Sequence, residues 1–183
     1  ALSEKSFNAE ILQKLTDGGS KGFSTFMTYY LLDAISACGG IDEAVAIAKE
    51  YYGAMPDKGA TTFWKDFDIG WVKGTGRIDE FPQKGEEDVH GDRGGYCYKG
   101  FRHSLCHGWS SGVVGFVTKY LLGVTILSAG CKKIKIIPAL PDGINEVKGA
   151  YPTPFGIIFI EHERVSGKII SKINAPKEVE IVK

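Results

Sequence analysis

Residues 101–112 hold reactive side chains more densely than an ordinary helix or strand requires. His103 and His107 are two of the four histidines, Trp109 is one of three tryptophans, and Cys106 is one of four cysteines. Three chemistries fit this run. The first is a nucleophile elbow, because Gly108-Trp109-Ser110-Ser111-Gly112 matches G-x-S-x-G, with Asp142 and His162 following in the required order. That motif also needs a strand before the serine, and no β-rich run precedes it. Three fixed positions carry little information in a chain with 24 glycines. Ser110 or Ser111 reads better as a helix cap.

The second chemistry is metal binding. His103 and His107 are four residues apart, with His90, Asp92 and Cys106 nearby. The Glu of H-E-x-x-H is missing, and Gly108 starts the following helix only after His107. Loop packing of the two histidines is the better reading, and no metal site is expected.

The third is carbohydrate binding. Sugars present flat C–H faces to aromatic rings and hydroxyl groups to polar side chains. Trp64, Trp71 and Trp109 all fall in or beside one irregular polar region. Asp66, Asp68, Arg102, His103 and His107 accompany them, so both kinds of group are at hand.

Composition narrows the partners. Twenty-two basic residues balance 22 acidic ones, which speaks against binding a phosphate backbone. No apolar run approaches the ~20 residues of a membrane-spanning helix. Cys38, Cys97, Cys106 and Cys131 are scattered with no CxxC pair, so neither a disulfide framework nor a structural zinc site is indicated. No targeting pattern is present, and compartment cannot be read from the chain.

The elements that must carry these residues change character halfway. A short helix is expected over 8–16 with Asn8 as its N-cap. Phe23, Phe26, Met27, Tyr30, Leu31, Ala34, Ile35 and Cys38 follow the spacing of a helix over 22–38, with a face wide enough to be buried on more than one side. After Gly39-Gly40, Asp42 is expected to cap a helix over 42–55, ended by Pro56, giving an αα-hairpin. Residues 58–100 lose all periodicity, and a further helix is expected over 110–122. Beyond Gly123 the pattern alternates at 133–138, 155–162, 167–173 and 179–182, separated by turn signals. The fold class expected is α+β, with an antiparallel sheet or half-sandwich following the helices.

Three stretches in order, Gly59-Ala60-Thr61-Thr62-Phe63-Trp64-x-Asp66-Phe67-Asp68, residues 101–112, and Pro152-Thr153-Pro154-x-Gly156, resemble the C-terminal part of bacterial α-L-rhamnosidases of glycoside hydrolase family 78. The resemblance covers essentially the whole chain. It implies that residues 1–123 are the C-terminal portion of an (α/α)6 barrel of the six-hairpin type with its active-site loops. Residues 124–183 would be a C-terminal antiparallel β-sandwich. It implies inverting, metal-independent hydrolysis of terminal α-L-rhamnosyl residues, with no cofactor. The partner would be a rhamnose-containing oligosaccharide, polysaccharide or glycoside, with no role for nucleic acid or membrane. Four or so helices cannot make a twelve-helix barrel, so the resemblance also implies a fragment whose general acid lies upstream. Such a fragment should expose an apolar face where the remaining helices pack.

By the same resemblance His107 contacts the sugar, Trp64 and Trp109 line or support the pocket, and Lys65 and Asp66 occupy the catalytic position. Asp68, Trp71, Arg102 and His103 join them as substrate-binding candidates from their residue types. The family usually has Glu immediately after the motif Trp, as the base that activates water. This sequence has Lys65. An inverting enzyme needs one carboxylic acid and one carboxylate about 6.5–9.5 Å apart, and a protonated lysine cannot accept the proton. Either Asp66 serves as base, or the protein is a catalytically inactive carbohydrate-binding relative.

Overall fold

The structure, a computed structural model, describes residues 4–89, 93 and 104–182. It divides into two compact units, residues 1–113 and 114–183. The division falls inside a helix, ten residues ahead of the expected boundary at 123/124.

The first unit is helical. α1 spans Glu4–Thr16, α2 Thr28–Ala37 and α3 Ile41–Asp57. α1 begins four residues ahead of Asn8, which is therefore interior to the helix and not its cap. α2 starts later than its apolar spacing implies. Gly22 has φ +73°, outside the helical region, and breaks the chain before the helix can form. Ser24 then accepts from the Met27 N–H at 3.3 Å and starts the helical turn leading into α2. Gly40, and not Asp42, is the N-cap of α3, while Asp42 and Glu43 occupy its first turn. There their charges favour the positive end of the helix dipole. α3 runs one residue past Pro56, since a proline in the last turn removes only one donor before the helix ends.

α2 and α3 pack together as a hairpin. Leu32 and Ile35 from α2 and Ala44, Val45, Tyr51, Tyr52 and Met55 from α3 are buried in the core, as are Trp64 and Phe67 from the following loop. The outer side of the 23–35 stripe is uncovered: Phe26, Met27 and Tyr30 are 44%, 47% and 53% exposed. Of the irregular 58–100 stretch, residues up to 89 hold one 3-10 turn, Ile69–Val72, and a single parallel bridge, Thr75 to Glu87.

A 3-10 turn at Gly108–Ser111 runs directly into α4, Gly112–Tyr120. Neither Ser110 nor Ser111 caps it. The N-cap position of the turn is His107, with no side-chain cap bond.

Among the described residues, the second unit holds six strands in two three-stranded sheets. β1 (Val124–Ile126), β2 (Lys133–Ile136) and β6 (Glu180–Val182) form one, in the order β1-β2-β6. β3 (Glu146–Thr153), β4 (Gly156–Val165) and β5 (Lys168–Asn174) form the other. The second sheet is antiparallel throughout. The first corrects the all-antiparallel expectation: β1 pairs antiparallel with β2, but β6 lies parallel to β2, with Ile134 opposite Ile181. Parallel pairing requires a long crossover, and the β3–β5 meander supplies it between residues 136 and 180. The β4–β5 hairpin turns at Ser166 and Gly167, with φ +50° and +79°, the two positive values of a type I′ turn.

Leu122, Val124, Ile134, Ile136, Ile158, Ile160 and Val179 draw both sheets around one apolar core. His162 lies within this unit at 0% exposure. Its Nε2 is 3.0 Å from the Leu122 carbonyl and its Nδ1 2.8 Å from Ser171 Oγ. A carbonyl can only accept, so Nε2 carries the proton and Ser171 donates to Nδ1. Both nitrogens are engaged, which removes His162 as the base of a serine-hydrolase triad.

Candidate functional site: a half-exposed indole over a fixed loop

Residues 62–68 carry four of the expected site residues, and 104–111 carry two more. Backbone bonds lace these segments together. The Lys65 N–H donates to the Ser104 carbonyl at 2.8 Å, and the His107 N–H to the Phe63 carbonyl at 2.8 Å. Thr62 Oγ1 donates to the Leu105 carbonyl. Two segments with no regular periodicity therefore hold each other in a strand-like pairing, which meets the requirement that interior backbone groups find partners.

Side-chain donors then fix the carbonyls of residues 64, 65 and 67. Ser110 Oγ donates to Trp64 O at 2.5 Å. Lys65 O accepts from Thr25 Oγ1 at 2.5 Å and from the Trp109 indole N–H at 2.9 Å. The Tyr51 hydroxyl donates to Phe67 O at 2.5 Å. Each of these donors comes from an element with its own anchor. Tyr51 belongs to α3, Thr25 to the approach to α2, and Ser110 and Trp109 to the 3-10 turn. Gly112 brings that turn close to α2, since a Cβ there would stand 2.6 Å from Tyr29 Cβ.

Burial shapes the electrostatics beneath the loop. It pushes the Tyr51 phenol well above its ordinary value of 10.0, assisted by Tyr52 and by the negative charges of Asp66 and Asp68. Burial likewise pushes Tyr52 up to about 12. Both stay protonated as donors in neutral solution.

The expected site residues separate by position. Trp64 is fully buried, with its ring 5.6 Å from Phe67, and offers no face to a ligand. Trp71 is half-buried and edge-on to Phe67 at 6.2 Å. Asp68 Oδ1 caps the 3-10 turn at 69–72 by accepting from Gly70 N at 2.7 Å. Asp66 Oδ1 accepts from the N–H of Phe67 at 3.0 Å. Trp109 is the most exposed of the three indoles, at 49%. His107 meets it edge-on at 4.4 Å, Phe26 packs beside it at 5.9 Å, and Lys65 Nζ stands 5.7 Å from the ring centroid. Arg102 and His103 lie outside the described residues, so the His103–His107 pair of the metal reading does too in part, as do the neighbouring His90 and Asp92.

Ser110 is fully buried with its hydroxyl committed to a carbonyl, so it is a structural donor and not a nucleophile. Thr25 and Tyr51 were not singled out by sequence. Tyr51 reads there only as one more apolar position on a helix face, and its hydroxyl contact has no local signature.

A flat aromatic surface with a cation over its ring and an imidazole edge-on to it offers a stacking face and hydrogen-bonding groups to a sugar that displaces the cation. The fold has known counterparts, although no family model and no curated protein matches the sequence. An α-L-rhamnosidase from Streptomyces avermitilis, solved in complex with L-rhamnose, superposes with TM-score 0.68 at 17% identity, covering 97% of this chain. The α-L-rhamnosidase of Dictyoglumus thermophilum gives 0.67 at 17% identity over 96% of the chain. That of Aspergillus terreus gives 0.71 at 13% identity over 97%. The chain spans only 16%, 17% and 19% of those three proteins. It shares the fold of one portion of an α-L-rhamnosidase.

Proposed function

We propose that the chain is the C-terminal part of an inverting α-L-rhamnosidase of glycoside hydrolase family 78, or a close relative of one, and that its ligand is a rhamnose-bearing glycoside. In this reading residues 1–123 complete an (α/α)6 barrel and residues 124–183 form the closing sandwich. The observation that carries it is Trp109: an exposed indole with its N–H tied down, bordered by His107 and Lys65. The uncovered Phe26, Met27 and Tyr30 support the fragment, as a face for helices supplied by the rest of the barrel.

A second reading has its own observation. An ammonium stands at the indole where an inverting mechanism calls for a carboxylate. Asp66, the alternative base, has one carboxylate oxygen bonded to its neighbouring N–H. In that case the protein binds rhamnosides without cleaving them. Hydrolysis of an aryl α-L-rhamnoside by the full-length protein, with and without Lys65→Glu, separates the two. Restoring a positioned base should raise the rate about 10²–10⁴-fold if the remaining machinery is intact. Absence of hydrolysis in both proteins would sink the enzyme reading for that substrate and leave the binding one.

A further inference from the structure

We propose that Thr25 is a positioning residue for the Trp109 indole, acting through the Lys65 carbonyl, and so sets how tightly the site takes its sugar. The inference rests on the carbohydrate reading of the site and adds a residue, remote in sequence, on which its affinity depends.

Two donors from different elements meet on one oxygen. Lys65 O accepts from Thr25 Oγ1 at 2.5 Å and from Trp109 Nε1 at 2.9 Å. A carbonyl oxygen has two lone pairs and can take both. The Lys65 N–H, bonded to Ser104 O at 2.8 Å, belongs to the preceding peptide plane. The oxygen at 65 belongs to the next plane, and Thr25 holds it there. The indole N–H is only as well placed as the oxygen it bonds, so a tie on that oxygen is a tie on the ring.

Thr25 can serve as that tie because its own place is fixed. It is only 2% exposed. The turn that carries it is closed around it: the Thr28 N–H and Oγ1 donate to Ser24 O at 2.9 and 2.6 Å, and the Met27 N–H donates to Ser24 Oγ at 3.3 Å. Its own carbonyl accepts from the Tyr52 hydroxyl of α3 at 3.4 Å. A β-branched side chain has little χ1 freedom, so the hydroxyl is a stiff support. Thr25→Val keeps the shape and removes the donor. The oxygen at 65 then loses its link to the approach to α2, and the oxygen and the indole can shift together. A ring that the ligand must re-order binds it less tightly.

The test is a double-mutant cycle on the full-length protein, read by isothermal titration with methyl α-L-rhamnoside. Its corners are the wild type, Thr25→Val, Trp109→Phe (which keeps a ring but loses the N–H) and the double variant, with Thr25→Ser and Trp109→Ala measured beside them. We expect Thr25→Val to bind about fivefold more weakly than the wild type. Thr25→Ser, which keeps the hydroxyl, should bind within about twofold of the wild type. In the Trp109→Phe background Thr25→Val should cost less than about twofold, because the link it acts through is already gone. A residue that merely supported the fold would weaken binding by the same factor in both backgrounds. If Thr25→Val does not fold, Thr25→Ala, which cannot overpack the turn, takes its place in the cycle. Wild-type affinity without the hydroxyl, no recovery with serine, or an equal loss in both backgrounds would overturn the inference and leave the carbohydrate reading standing. No saturable binding to the wild type, or undiminished binding in Trp109→Ala, would overturn both.

Discussion

Residue 65 holds Trp109 from two directions: its carbonyl accepts the indole N–H at 2.9 Å, and its ammonium stands 5.7 Å from the same ring's centroid. The two contacts separate by mutation. Trp109→Phe keeps a stacking ring but loses the N–H that fixes its orientation. Trp109→Ala loses both. Affinity for methyl α-L-rhamnoside is expected to fall a few-fold in the first variant and about tenfold or more in the second, since truncated aromatic contacts commonly exceed ~1 kcal/mol. Undiminished affinity in Trp109→Phe would show that the indole N–H contributes nothing to placing the ring, and equal losses in the two variants would show that a ring without that N–H contributes nothing to binding.

Ser110 should prove structural. Ser110→Ala leaves the Trp64 carbonyl without its 2.5 Å donor in a buried setting. An unsatisfied buried acceptor costs about 1–3 kcal/mol, to be read from the shift in urea midpoint. A serine nucleophile would show the opposite pattern, with full stability and lost activity.

The tyrosine pair makes stability fall in alkali. Tyr51 is raised above 10.0 and Tyr52 to about 12, both chiefly by burial. Above pH 10 the unfolded chain releases these protons while the folded one keeps them, so the unfolded state binds fewer protons and stability drops as pH rises. The slope is about 1.4 kcal/mol per pH unit for each tyrosine. For Tyr52 it ends near pH 12, and for Tyr51 it continues beyond. Tyr52→Phe should shallow the decline measured by denaturation between pH 10 and 12. An unchanged slope would mean that Tyr52 ionises freely in the folded protein.

Two glycines with positive φ should respond very differently to alanine. Gly123 has φ +77°, and a Cβ there would lie 2.3 Å from the Ile137 carbonyl carbon, a backbone atom that cannot step aside. Gly39 has φ +95° with nothing within 4 Å. Gly39→Ala should cost only the left-handed penalty of about 1–2 kcal/mol. Gly123→Ala should cost several kcal/mol or prevent folding, because overpacking adds to the strain. Similar melting temperatures for the two variants would contradict the close approach of residue 123 to residue 137.

What could be read from sequence followed periodicity. The α2–α3 hairpin repeats its apolar residues at the spacing of its final structure. The strand runs at 155–162 and 167–173 mark β4 and β5 without foretelling burial: β4 buries Ile158 and Ile160 but exposes Ile157 and Phe159, and β5 exposes Ile169 and Ile170. β3 was harder to see because Gly149, Ala150 and Pro152 are poor strand formers. They fit for tertiary reasons: a Cβ on Gly149 would come 2.8 Å from Leu122 Cδ2, and Pro152 lies on an edge strand, where a missing donor is tolerated. The parallel partnership of β6 with β2 was equally hidden, since strand direction depends on the crossover and not on the strand's own residues. At the site, aromatic and charged types marked the region. Which indole faces solvent was decided by contacts from α3 and the 3-10 turn, more than forty residues away from one of the two. That is why Trp64 and Trp109 look alike in sequence, while one is wholly buried and the other half exposed.

In the proposed function the Trp109 face receives a rhamnosyl sugar. Isothermal titration of the full-length protein with methyl α-L-rhamnoside, beside a Trp109→Ala variant shown to be folded by circular dichroism, tests it most directly. The expected result is saturable binding that weakens about tenfold or more in the variant. Binding of equal strength in both proteins, or no saturable binding to the wild type, would contradict it.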